Sequence, residues 1–290
     1  MSTFVPWGTS HVVVVIITVV GAIALVPFAR RAPAPVVGTT GRTLAVLLVV
    51  TTLAYQIYAF EPGRAGQTLP LWLSDLVPYV AAYALWSGRQ WAYGMTYYWA
   101  LTLTVQAIAT PALGGPDFPA PSFLAFFTAH VLPIWAAVLL TWGTGRRPTW
   151  ADYGRTVAAT LVWAAVAQPV NLLTGANYGY LDRKPDAASI LDLFGPYPVY
   201  LLVEALVVLT VWALITWPWT RGGRGRSPGP RRADRAGSAA GTPDPAATPD
   251  GESSRSSRRP SGVRSSSSEV TDASARPDGA NHGRREPGGG

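Results

Sequence analysis

Seven apolar runs, separated by short polar or Gly/Pro-rich breaks, fill the first 220 residues: 11–29, 43–60, 69–87, 91–112, 121–142, 155–174 and 197–219. A hydrocarbon core about 30 Å thick requires about 20 apolar residues in a helix. Each run reaches or approaches that length, and none shows the period-two alternation of a membrane β-strand. The pattern predicts an all-α fold: a polytopic membrane protein with a bundle of seven transmembrane helices over residues 1–220. The first run lacks a basic leader and is followed directly by Arg30-Arg31, so it reads as a retained span and not a cleaved signal.

Residues 221–290 are different in kind. They contain no Leu, Ile, Met, Phe, Tyr or Trp. Such a segment cannot bury enough apolar surface to offset an ordering cost of about 1–2 kcal/mol per residue, and it predicts a disordered tail.

Polar positions inside the runs share a level. Ser74 and Asp75 lie near the start of the third run, and Tyr98, Thr102, Gln106 and Thr110 recur every four residues along the fourth. The fifth holds His130, the sixth Gln168, Asn171 and Thr174, the seventh Tyr200 and Glu204, and Gln56 ends the second. At 1.5 Å per residue these groups fall about 6–13 Å from one membrane boundary. Polar side chains in spans usually face a bundle interior or a wet cavity. The shared depth predicts a polar pocket in one half of the bundle, with His130 paired to Asp75, Glu204 or Gln106. The segment 177–200, NYGYLDRKPDAASILDLFGPYPVY, begins at Asn177 and lies across the pocket mouth; 187–194 is expected as a short amphipathic helix. The competing reading is that these groups join helix to helix, as Ser, Thr, Asn and Gln commonly do in membranes.

Charge orients the bundle. Arg30, Arg31, Arg42, Arg89, Arg146, Arg147 and Arg155 fall in or beside alternate connections, whereas the others hold Arg64 and the pair Arg183/Lys184, diluted by Asp182, Asp186 and Asp192. The tail is basic too. The positive-inside bias predicts a cell-membrane protein with its N-terminus outside and its C-terminus in the cytoplasm. The polybasic stretch 221–235 suits anionic membrane lipids, and no specific nucleic-acid partner is expected.

Composition narrows the chemistry. The chain has no Cys, which excludes disulfides, a thiolate nucleophile and Cys-based metal sites. It carries no GxSxG elbow, HExxH helix, phosphate loop or dinucleotide fingerprint, so no metal or cofactor is expected.

Four motifs carry a resemblance: LPLWLSDL at 69–76, QAIATP at 106–111, His130, and ANYGYLDRKPDAASILDLFGPYPVY at 176–200. Together they resemble the YwaF-type family of bacterial integral membrane proteins over roughly residues 10–217. That family is related to a eukaryotic transmembrane family implicated in acyl transfer between phospholipids. The relation implies a phospholipid substrate and a nucleophilic cysteine at the position of Ser74, preceded by a histidine at the position of Trp72. This chain departs from the pattern at both. A serine nucleophile needs a base within hydrogen-bond reach, and His130, oriented by Asp75 or Glu204, is the candidate. Three functions follow: an acyltransferase or hydrolase acting on lipid, with Ser74, His130 and Asp75 as catalytic residues; a transporter or small-molecule binder; or a non-catalytic membrane scaffold. Gln106, Gln168, Asn171, Asn177, Tyr200 and Glu204 would line the pocket in the first two.

Overall fold

A computed structural model describes residues 2–185 and 189–221. The expected disordered tail, apart from Arg221, lies outside the described residues. Seven long helices occur where the seven apolar runs lie, and no strand is present among the described residues: α1 (Thr9–Arg31), α2 (Ala34–Ala59), α3 (Leu73–Ser87), α4 (90–109), α5 (Pro121–Gly143), α6 (Trp150–Thr174) and α7 (Val199–Arg221). Five of them, α1, α2, α5, α6 and α7, are long and apolar enough to cross a membrane. The 15-residue α3 and the π-interrupted α4 are not among those five.

Helix ends follow local chemistry more than hydropathy. α2 starts nine residues before its apolar run because Ala34-Pro35 offers the preset backbone of a first helical turn. α6 starts five residues early because Thr149 and Asp152 form a reciprocal capping box. α3 and α6 stop at Gly88 and Gly175, whose φ values of 65° and 69° suit a residue without Cβ.

The helices α3, α4 and α5 form the centre. α1 and α2 pack on α5, α2 also on α3, and α6 packs on α4 and α7. One buried cluster joins Val77 and Ala84 of α3, Tyr93, Tyr97 and Tyr98 of α4, Ala137 of α5 and Trp212 of α7. A second joins Leu44 and Leu48 of α2, Ala81 of α3 and Ala136 of α5. The outer helices expose large aliphatic side chains, such as Ile23, Leu161, Leu202 and Leu173, the last 85% accessible. Faces of that extent are untenable in water and match a hydrocarbon surround.

Two ends can be distinguished. The arginine end carries the C-termini of α1, α3, α5 and α7. At that end Arg30 donates to the Trp142 carbonyl at 3.0 Å, and Arg146 donates to the carbonyl of Gly88. The opposite, N-terminal end carries Ser2–Gly8 and the 177–185 segment.

Candidate functional site

Because Gly88 and Arg146 meet beyond the ends of α3 and α5, the two helices run side by side in the same direction. Ala81 and Ala136 share one buried cluster, and Val77 and Ala137 share the other. Ser74 lies near the start of α3 and His130 in the middle of α5, on these neighbouring helices. No hydrogen bond joins them among the described residues. Ser74 is half-buried, and His130 is 6% exposed.

The expected partner of His130 was Asp75, Glu204 or Gln106. Its Nδ1 instead donates to the Phe126 carbonyl of its own helix at 2.6 Å, and its ring stacks 4.4 Å from that of Phe126. A buried N–H takes the acceptor within reach, here one turn back. A carbonyl only accepts, so Nδ1 carries the proton and Nε2 is left as the acceptor. Asp75 accepts from the Trp72 N–H at 3.2 Å, a capping contact at the start of α3.

Between α2 and α3, the Gln56 Oε1 accepts from the Tyr79 hydroxyl at 2.6 Å. Gln56 Nε2 and the hydroxyl of Thr52, one turn away, are buried with no hydrogen-bond partner among the described residues. Towards the arginine end a groove of about 370 Å³ continues between α2 and α3, lined by Ala45, Val49, Tyr79, Ala82 and Trp86 among others. Sequence reasoning noted Gln56 only for its depth and missed Thr52 and Tyr79.

The other predicted residues mostly bind the 177–185 segment. Gln168 donates to Asp182 at 2.6 Å. Asn171 donates to the Tyr178 carbonyl at 3.1 Å and accepts from its N–H at 2.8 Å. Asn177 accepts from the N–H groups of Asp182 and Arg183 and donates to the Arg183 carbonyl. The Tyr200 hydroxyl donates to the Tyr180 carbonyl. Trp72 packs edge-on against Tyr178 and Tyr180, so this folded segment sits on the residue that starts α3. Desolvation raises the phenol pKa values of Tyr178 and Tyr180, keeping both protonated. The short helix expected at 187–194 is a 3₁₀ turn, Ile190–Phe194, begun by Ser189 donating its N–H to Asp192; residues 186–188 lie outside the described residues.

Gln106 is exposed, and Glu204 is half-buried without a hydrogen bond among the described residues. The fourth run's polar stripe is split by the π turn Ala100–Thr104. Tyr98 and Thr102, before or within it, bond to Thr216 and Trp212 of α7. A π turn adds a residue to the helical repeat, so Gln106 and Thr110 follow on a different face.

Two buried ionisable groups also escaped the sequence reading. His11 is fully buried; its Nδ1 accepts from the Trp7 N–H at 2.8 Å and its Nε2 donates to the Ile108 carbonyl at 2.7 Å. At the start of an apolar run it read as a boundary. Asp152 is fully buried at the arginine end, and the Thr149-x-x-Asp152 spacing was the signal for it.

Long helices with lipid-compatible outer faces and polar groups turned towards the interior and one end define a multi-pass helical membrane protein. The sequence model of the TMEM164 family, a transmembrane protein family, matches residues 6–216, and the chain belongs to that family. No curated protein and no solved structure matches it.

Proposed function

We propose that this protein is a membrane enzyme acting on acyl esters of phospholipids, with Ser74 as nucleophile and His130 as base. The observation that carries this reading is the state of His130: its Nδ1–H is committed to Phe126, leaving Nε2 as an acceptor on a helix that packs against the one carrying Ser74. In the reaction Ser74 Oγ attacks the ester carbonyl carbon as its proton passes to Nε2. The lysolipid oxygen then leaves with that proton. The acyl-serine is resolved by an acceptor alcohol, giving transfer, or by water, giving hydrolysis; His130 takes the acceptor's proton and Ser74 recovers it. Ser74 and His130 share no hydrogen bond among the described residues, and the reading requires substrate binding to bring Oγ within reach of Nε2, as in sites whose catalytic hydrogen bonds tighten only in the complex. Asp75 holds the first turn of α3 through Trp72 and so positions Ser74.

All seven helices cross the cell membrane in this reading, with the N-terminus outside, which puts the site in the outer half of the bilayer. The α3 helix spans only about 22 Å at 1.5 Å per residue. Residues 69–72 complete its crossing beneath the 177–185 segment. The same motifs support the narrower likeness to the YwaF-type proteins.

The test is lipid profiling of a strain lacking the gene, complemented with wild type, Ser74→Ala or His130→Ala. Both variants should leave the lipid profile of the deletion uncorrected while accumulating in the membrane at wild-type levels. Full correction by both would refute the reading.

A further inference from the structure

We infer that Thr52 and Gln56 form a carbonyl-binding seat in the crevice between α2 and α3, holding the ester oxygen of an acyl chain that lies in the apolar groove below. The assignment rests on the Ser74 reading for its chemistry and on the crevice alone for its geometry.

Ala45, Val49, Thr52 and Gln56 are spaced four, three and four apart, which puts them on one face of α2. Asp75, Tyr79, Ala82 and Trp86 follow the same spacing on α3. The two stripes face each other: Ala45 and Val49 line the groove with Tyr79, Ala82 and Trp86, and Tyr79 bonds Gln56 at its head. The crevice is therefore apolar over about 10 Å, seven residues of each helix, and polar at one end.

The polar end is unpaired in a particular way. Other threonines in the bundle return their hydroxyl to the carbonyl one turn back: Thr18 to Val14 at 2.7 Å, Thr51 to Leu47 at 2.7 Å and Thr96 to Ala92 at 2.8 Å. Thr52 does not, although it is only 7% exposed. The Gln56 amide is pinned by Tyr79 through its oxygen, which leaves its Nε2 donors without an acceptor among the described residues. Two donors left unmade in a lipid-surrounded crevice are costly unless a ligand accepts from them. An acceptor oxygen at the head of an apolar chain satisfies both features, and an acyl ester presents just that. On the Ser74 reading the seated ester is the one attacked, and hydrogen bonds to its oxygen then strengthen as it gains negative charge.

The experiment uses the full chain in phosphatidylcholine nanodiscs and two photoreactive probes with the same diazirine-bearing tail. One is a diacyl phosphatidylcholine, the other its dialkyl ether analogue, which lacks the carbonyl. The ester should label peptides around Val49 and Ala82 about fivefold more than the ether, the ratio expected of one hydrogen bond. Thr52→Val should erase this preference, Thr52→Ser should keep it, and Gln56→Leu/Tyr79→Phe should lose it while Tyr79→Phe alone keeps it. Equal labelling by ester and ether in the wild type, or an undiminished preference in Thr52→Val, overturns the seat. A free fatty acid probe that outcompetes the ester at the same peptides also overturns it. Turnover of a labelled diacyl lipid separates the two ideas. Thr52→Val should reduce kcat about 10²-fold with little change in KM. If Ser74→Ala abolishes turnover while Thr52→Val does not affect it, the seat falls and the nucleophile stands. If the ester preference holds but no turnover depends on Ser74, the seat stands and the nucleophile falls.

Discussion

Asp152 of α6 accepts a hydrogen bond from Gln90 of α4 at 2.7 Å, tying together the starts of two helices at the arginine end. The same carboxylate accepts from the N–H and hydroxyl of Thr149, at 3.1 and 2.7 Å, and meets Arg155 at 3.2 Å. It is fully buried, and α4 makes room for it with Gly94, where a Cβ would come within 2.6 Å of the Asp152 Cβ. Asp152→Ala should lower stability by about 1.5–3 kcal/mol, the range for hydrogen bonds to a charged group. Asp152→Asn should recover only part of that: its amide oxygen can take the place of the Oδ2 that accepts from Gln90 and Thr149, but its amide nitrogen then faces Arg155 and cannot accept from it. Thermal unfolding in detergent reads the effect; an unchanged midpoint in Asp152→Ala would show that the cluster is not a tie.

The contact of α1 with α5 depends on a missing side chain. A Cβ at Gly21 would stand 2.3 Å from the Trp135 ring, and that ring cannot swing clear without breaking its 3.0 Å bond to the Thr18 carbonyl. Gly21→Val should cost about 1–3 kcal/mol through overpacking. Gly38→Ala is the control: nothing lies within 4 Å of its Cβ, so the gain in helix propensity, up to about 1 kcal/mol, is unopposed. Equal midpoints for Gly21→Val and wild type would exclude close packing there.

The positions of the helices were legible in the sequence, and the bearing of a polar group around its helix was not. Rise per residue is nearly constant, so run boundaries fix where helices can start and stop, and all seven helices occur where the runs lie. Rotation accumulates, and one inserted residue spoils it. The four-residue spacing of Tyr98, Thr102 and Gln106 implied a single stripe, but nothing in that spacing reveals the π turn that sends Gln106 elsewhere. Asn171 and Gln168 read as pocket residues, yet their partners come from the 177–185 segment, whose folding depends on backbone geometry such as the positive φ of Gly179. Thr52 was invisible for another reason. A threonine in a membrane helix ordinarily satisfies itself, and only its surroundings show that this one does not.

Tyr98 of α4 and Thr216 of α7, both fully buried, share a 2.7 Å hydrogen bond. Thr216 already donates to the Trp212 carbonyl at 2.6 Å, so the tyrosine is the donor and the threonine oxygen the acceptor. Tyr98→Phe therefore strands no donor on the partner. A double-mutant cycle with Thr216→Val should give a coupling of about 1 kcal/mol, within the range of about 0.6 to 1.7 found for polar pairs between membrane helices. Additive effects of the two substitutions would mean the bond contributes nothing to holding α7 on α4.

Orientation can be tested through the asymmetry of charge between the two ends. Arg30, Arg31, Arg89, Arg146, Arg147 and Arg221 gather at one end. The other carries Arg64, 3.7 Å from Glu61, and Lys184, 3.9 Å from Asp192. Basic residues near span ends are retained on the cytoplasmic side. A reporter that fluoresces only in the cytoplasm should be active when fused after Arg221, where α7 ends. A phosphatase that matures only outside should be active when inserted after Gly63, an exposed position where nothing lies within 4 Å of a Cβ. Because α7 ends at the arginine end and Gly63 lies between α2 and α3 at the other, the pair reports both faces of one bundle. The reverse pattern would invert the protein and move the Ser74 level to the inner half of the bilayer. Activity of both reporters at one position would indicate two topologies, and the charge bias would then be too weak to set orientation.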